Sequence, residues 1–243
     1  MKRVFSAFIV LLAGCTGGTN YENMTILTPN DPELYTVATI QNITDASAPV
    51  HIYIEGDGRA FNGHGQPTHN PTPRSYFTRD MMAADKSPNV AYIARPCQFF
   101  MDDKCQTTDW TDGRFSKAMV DSMAAAVKTI AGSRPVILIG YSGGAMISGL
   151  IIQTHTNIDV KQWITIAGVL NHKDWTDYFN DAPLSHSLNM NTLPQIPQVH
   201  YIADNDKTVP NSLSRKWITN AKMVTISNAA HNSIPIIKLE FKD

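Results

Sequence analysis

Six short apolar runs recur along this chain of 243 residues, at 50–54, 90–94, 136–139, 163–166, 199–202 and 223–226. The first four run into Gly56, Pro96, Gly140 and Gly168, residue types that punctuate strands. A strand with one wet face alternates apolar and polar side chains, whereas one covered on both faces is apolar throughout. These runs are of the second kind. The stretches between them carry helical patterns, as the crossovers of parallel strands require. Phe115, Met119, Met123, Ala126, Val127 and Ile130 recur at steps of three and four, a buried stripe that ends at Gly132. Residues 144–153 are apolar nearly all round and read as a deeply buried helix; 211–221 is a third helix, entered through Pro210. Strands alternating with helices predict one three-layer α/β sandwich around a mostly parallel central sheet. Residues 35–40 alternate more and are expected as an antiparallel edge strand. Residues 59–74, rich in Gly, Pro, His and Asn, form a long loop. Residues 171–194, with Trp175, Tyr178 and Phe179, are a candidate small cap over the C-terminal edge of the sheet.

Composition narrows the classes. Twenty Lys+Arg face 21 Asp+Glu, and no Lys/Arg block is present to neutralise phosphates, which argues against a nucleic-acid partner. An apolar share of 43% is enough for a core and excludes a disordered chain. No stretch approaches the ~20 apolar residues of a spanning helix, so a polytopic membrane protein is excluded.

The N-terminus reads as an address. Lys2 and Arg3 precede an apolar run over 4–13, too short to span a bilayer but suited to the core of a secretory signal. It ends in Leu12-Ala13-Gly14-Cys15, which resembles the lipobox of bacterial lipoproteins. That resemblance implies a signal peptide at 1–14, cleavage before Cys15, acylation of Cys15, a polar tether over 15–34, and a folded domain over 35–243. Thr16 resembles the sorting residue of lipoproteins sent to the outer membrane, so the expected location is the cell envelope, lipid-anchored and facing the periplasm. Without Lys2 and Arg3, 18 Lys+Arg remain against 21 Asp+Glu, so no basic patch assists membrane binding. In an oxidising compartment the two remaining cysteines, Cys97 and Cys105, are expected to pair. No metal-ligand spacing is present, and His64 and His69 fall in the Pro/Gly-rich loop; no metal or cofactor is expected.

The chemistry centres on Gly140-Tyr141-Ser142-Gly143-Gly144. A Gly-x-Ser-x-Gly motif gains meaning where it follows a strand and opens a helix, as here. Such a turn strains the backbone at the serine and lifts its hydroxyl above the sheet edge, and the flanking glycines remove Cβ atoms that would collide. A hydroxyl is a poor nucleophile until a base takes its proton. His231 follows the last strand through the small-residue loop Ser227-Asn228-Ala229-Ala230, which marks it as the base among eight histidines. The carboxylate that fixes its tautomer is expected just past the penultimate strand, at Asp206, with Asp204 as the rival.

The order Ser142, Asp206, His231 is that of the α/β-hydrolase triad, and the chain resembles that superfamily over about residues 50–235. Asp206-x-x-Val209-Pro210 is similar to its acid loop. More narrowly, Glu55-Gly56-Asp57-Gly58, Arg95-Pro96-Cys97-Gln98, Trp110-Thr111, Asp174-Trp175 and Ser187-Leu188-Asn189 resemble a group of proteobacterial α/β hydrolases. The resemblance implies an oxyanion hole, one donor being the Gly143 N–H after the nucleophile. The second is expected from the turn after the strand at 50–54, at the Asp57 N–H, with Gly58 as second choice; the sequence there departs from the His-Gly-Gly-Gly of many lipases. A carboxylate beside an oxyanion repels it, so the Asp57 side chain is expected to turn away or pair with Arg59; selection of a cationic substrate is the alternative. Together these readings predict a serine hydrolase of a small-molecule carboxylic ester. Thioester and peptide bonds are variants of the same chemistry, and a non-catalytic binding or envelope module retaining the fold is the alternative from another class.

Overall fold

The computed structural model of the chain describes residues 24–242; the signal peptide and Cys15 expected from the sequence lie outside the described residues. Eight strands form a single sheet: β1 (Thr25–Leu27), β2 (Val37–Ile43), β3 (Val50–Ile54), β4 (Asn89–Ile93), β5 (Val136–Tyr141), β6 (Val160–Ile166), β7 (Gln198–Ala203) and β8 (Lys222–Ile226). Their spatial order is β1-β2-β4-β3-β5-β6-β7-β8. From β4 through β8 every neighbouring pair is parallel; β1 and β2 join antiparallel. All five positions of β3 and of β4 are buried, as continuous apolar runs covered on both faces must be.

One face of the sheet meets α2 (Lys117–Ala131), α3 (Gly143–Thr154) and α5 (Asn211–Trp217). Met123 and Val127 of α2 and Met146, Ile147, Leu150 and Ile151 of α3 pack there with Ile52, Ile54, Leu138 and Trp163. The Ser116 hydroxyl caps α2 by accepting from the Met119 N–H. The opposite face carries Tyr53, Tyr92, Ile139, Ile164 and Tyr201, packed on Met81 and Met82 of α1 (Phe77–Ala84) and on Ile234 and Leu239. Much of that layer is therefore an irregular return after β8, tied to the sheet where the Gln162 amide donates to the Glu240 carbonyl at 2.9 Å.

The architecture is the expected one, with differences at its margins. The edge strand expected at 35–40 is β2, and Thr25–Leu27, within the segment read as tether, adds β1 outside it. The 211–221 helix ends at Trp217. The candidate cap at 171–194 contributes one short helix, α4 (His172–Phe179), and an irregular return. Asn171 caps α4 by accepting from the Asp174 N–H, and Trp175 anchors it by donating to the Thr208 carbonyl at 2.7 Å.

Candidate active site

The three residues singled out in the sequence converge above the C-terminal ends of β5, β7 and β8. Ser142 lies between β5 and α3 with φ 51° and ψ −121°, a left-handed backbone that costs a non-glycine residue energy. Two neighbours make the turn feasible. A Cβ on Gly140 would lie 2.6 Å from the Ala145 Cα, and one on Gly144 would lie 2.7 Å from the Glu55 carbonyl oxygen. The turn is therefore pressed against both its own helix and the end of β3, and only glycine fits at either position.

Ser142 Oγ is 3.0 Å from His231 Nε2, and His231 Nδ1 is 2.7 Å from Asp206 Oδ2. A carboxylate only accepts, so Nδ1 carries the proton and Nε2 is left to accept from the serine hydroxyl. The imidazole side chain is 7% exposed and the Asp206 side chain 1%, so water does not compete for their bond. The other Asp206 oxygen accepts from the Thr208 and Val209 N–H groups, each at 2.8 Å, which fixes the carboxylate's orientation. Asp204, the rival from the sequence, faces elsewhere. It accepts from the main-chain N–H of Asn228 and Ala229 at 2.9 and 3.0 Å, and so shapes the loop that presents His231.

Behind the serine, Tyr141 donates its phenol proton to the His231 carbonyl. Burial and the nearby Glu55 and Asp206 charges hold this phenol above its ordinary range, so it remains a donor. Glu55 is fully enclosed at the end of β3. It accepts from the Thr78 and Tyr92 hydroxyls at 2.8 and 2.9 Å and from the Gly56 N–H at 2.9 Å. Burial raises its carboxyl above the usual carboxylate range, an effect those three donors oppose.

The loop at 55–58 reaches Ser142 directly: a Cβ on Gly56 would lie 3.1 Å from the Ser142 Cβ. The Gly56 N–H is committed to Glu55 and its carbonyl to the Gln98 amide, whereas the N–H groups of Asp57 and Gly58 have no acceptor among the described residues. Gly143 opens α3, where a helix's first amides have no partner within the helix. The Asp57 side chain does not pair with Arg59. Its Oδ1 accepts from Arg95 at 3.0 Å, and its Oδ2 lies 3.6 Å from the Arg114 Nε. The carboxylate packs on Gly143, where any Cβ would collide with it. Sequence proximity favoured Arg59; in the fold two buried arginines reach Asp57 from the loops after β4 and before α2.

Cys97 and Cys105 stand with their sulfurs 2.03 Å apart. His64 and His69 are both exposed in the loop. Among the described residues no group of three or more His, Cys, Asp or Glu is arranged to hold a metal ion.

Comparison with known proteins now decides the family. Residues 67–235 match the model of the serine hydrolase family FSH1, a stretch that contains Ser142, Asp206 and His231. The chain belongs to the FSH1 serine hydrolase family. No curated protein matches this FSH1 hydrolase. Solved structures share its fold at low identity. An α/β serine hydrolase homologue from Coxiella burnetii is 14% identical, with a TM-score of 0.54 over 90% of this chain and 92% of that one. A Xanthomonas campestris structure described as an α/β serine hydrolase without lid is also 14% identical, with a TM-score of 0.53 over 89% of each chain. Est1E from Butyrivibrio proteoclasticus with ferulic acid bound is 13% identical, with a TM-score of 0.59 over 85% of this chain and 92% of that one. The FSH1 hydrolase is thus an α/β hydrolase whose sheet, elbow and late-strand loops were legible in advance. What sequence reasoning missed is Tyr141, Glu55, Arg95 and Arg114. Tyr141 and Glu55 lay inside quoted motifs without a role, and nothing local marked Arg114.

Proposed function

We propose that this FSH1-family hydrolase cleaves carboxylic esters through Ser142, His231 and Asp206, from a lipid anchor at Cys15 in the bacterial cell envelope. The observation that carries the reading is the continuous chain from Ser142 Oγ to His231 Nε2 at 3.0 Å and from Nδ1 to the buried Asp206 at 2.7 Å. His231 Nε2 takes the serine proton as Oγ attacks the ester carbonyl. The oxyanion that forms collects the N–H groups of Gly143 and Asp57, with Gly58 beside them. His231 then gives its proton to the departing alkoxide, leaving an acyl-serine. It next deprotonates a water that attacks the acyl carbon, and collapse of the second tetrahedral species releases the acid and restores the serine. Asp206 holds one tautomer and offsets the imidazolium charge.

Labelling by a fluorophosphonate, lost in Ser142→Ala, tests the nucleophile; a screen of 4-nitrophenyl esters by acyl length then tests the bond. Labelling with turnover of thioesters or amides but no ester would change the bond and keep the mechanism. An absence of labelling in the folded protein would favour a binding module. The anchor is tested separately: Lys2, Arg3 and the apolar run ending in Leu12-Ala13-Gly14-Cys15 support cleavage before Cys15, and mass spectrometry of the mature N-terminus should find it acylated.

A further inference from the structure

Beside the nucleophile lies a cluster that the hydrolytic steps leave unused. Arg95 and Arg114 are both more than nine-tenths buried, yet they share a single carboxylate, that of Asp57. Arg95 is largely committed: one terminal nitrogen donates to Asp57 and the other to the Arg114 carbonyl. Arg114 is not. Among the described residues its guanidinium makes no hydrogen bond, and its buried Nε stands 3.6 Å from Asp57; the Arg95 Nε is likewise unpaired. Instead it is walled by aromatic rings, with Trp175 at 5.6 Å and Phe61 and Phe115 each at 5.8 Å. Such rings hold a cation by their faces but accept none of its N–H groups in the plane.

Both arginines line a shallow, solvent-open cleft of about 10 Å³, room for a water or a single carboxylate oxygen, together with Asp57, Gln98, Asp109 and Trp110. The Asp109 carboxylate does not satisfy them; it accepts from the Tyr35 hydroxyl at 3.1 Å and the Gln106 N–H at 2.8 Å. Asp57, which lines the cleft, also packs on Gly143, the residue after Ser142. A buried guanidinium short of acceptors is costly unless something completes it. Its planar fork matches a carboxylate through two parallel hydrogen bonds.

We propose that this cleft is a substrate subsite in which Arg114 recognises a carboxylate carried by the ester, making the enzyme selective for esters with a free acid group. The proposal rests on the hydrolase reading above and adds the substrate class to it. Asp57 then has a second use: it holds the paired guanidinium in place, and the two cations mask its charge from the oxyanion.

Two matched pairs of esters test it on the intact protein. In one the acid lies on the acyl side: 4-nitrophenyl hydrogen adipate against its neutral methyl ester. In the other it lies on the alcohol side: 4-acetoxybenzoate against methyl 4-acetoxybenzoate. The expected result is a kcat/KM roughly 10- to 100-fold higher for the anion in one of the pairs, the range of charge-assisted hydrogen bonds to a planar fork. Arg114→Gln should abolish that preference, lowering kcat/KM for the anion roughly 10- to 100-fold more than for the neutral ester. Equal kcat/KM values for anion and neutral ester in both pairs, or equal loss of both in Arg114→Gln, would overturn the subsite. The wild-type comparison needs no variant to fold. Fluorophosphonate labelling of Ser142 in the same preparation separates this failure from failure of the hydrolase reading, which would lose the label as well.

Discussion

The phenol of Tyr141 donates a 2.9 Å hydrogen bond to the main-chain carbonyl of His231, and the two rings stack with centroids 5.3 Å apart. The residue before Ser142 thus holds the residue proposed as its base, across 90 positions of sequence. Tyr141 is a positioning residue. Tyr141→Phe keeps the ring and deletes the bond, whose net value of about 1 kcal/mol corresponds to roughly a fivefold effect. The expected outcome is a fall of that order in kcat, with KM and the thermal midpoint little changed. A loss of stability with kcat intact would make the contact merely structural.

The two aspartates after β7 should separate by what they damage. Asp206→Asn leaves His231 without a carboxylate for Nδ1 and is expected to lower kcat by about 10³–10⁴. Asp204→Asn removes a charge from the acceptor that holds Asn228 and Ala229, so its cost of about 1 kcal/mol should register in urea unfolding, with kcat within about tenfold. Steady-state rates on one ester and unfolding midpoints for both variants check this; the reverse ranking would reassign the carboxylate.

Acid stability should carry the mark of His200. This wholly buried imidazole donates from Nε2 to the Gln198 amide oxygen at 2.8 Å and accepts at Nδ1 from the Thr165 hydroxyl at 2.7 Å, so both nitrogens are satisfied in the neutral form. Burial pushes it down to about 4, against 6.5 ordinarily. Between those values the unfolded chain binds a proton that the fold refuses. Stability present above pH 6.5 is therefore lost as pH falls toward 4, by at most about 1.4 kcal/mol per pH unit from this group. Urea midpoints measured across that window should fall for the wild type and fall less steeply for His200→Gln.

Cys97 and Cys105 should be joined in protein isolated under oxidising conditions. Closing so short a loop restricts the unfolded chain, and opening it is expected to cost about 2–3 kcal/mol. Unfolding of Cys105→Ala against the wild type measures the cost. Intact mass before and after reduction reports the bond itself, and unchanged mass would retire it.

How far the fold could be read beforehand follows from where its information lies. Strands β3 to β7 were legible because burial on both faces makes them apolar throughout, a purely local signal. The buried α3 and the Gly-x-Ser-x-Gly turn were legible for the same reason. By contrast β1 has three residues, too few for a pattern to emerge, and α1 has eight residues and no side-chain cap at Tyr76. The site divides the same way. Ser142 and His231 are marked by motif and by position after a strand, but Asp204 and Asp206 sit in one loop and differ only in where three-dimensional closure points them. The pairing of Asp57 with Arg95 and Arg114 spans 38 and 57 positions and has no local trace, so the nearer Arg59 was the natural expectation.

The arrangement also sets the order in which the enzyme can come into being. Ser142 and its elbow are complete only once β6 has joined β5 and α3, because the Ser142 N–H donates to the Ile166 carbonyl and the Ser142 carbonyl accepts from the Val169 N–H; Asp206 follows β7 and His231 follows β8. The proposed hydrolysis therefore needs the final strand and the loop after it, which carries His231 to 3.0 Å from Ser142 Oγ. A chain cut before residue 231 lacks the proposed base altogether, so the loss of the last strand and its loop should cost far more activity than its share of the core would suggest.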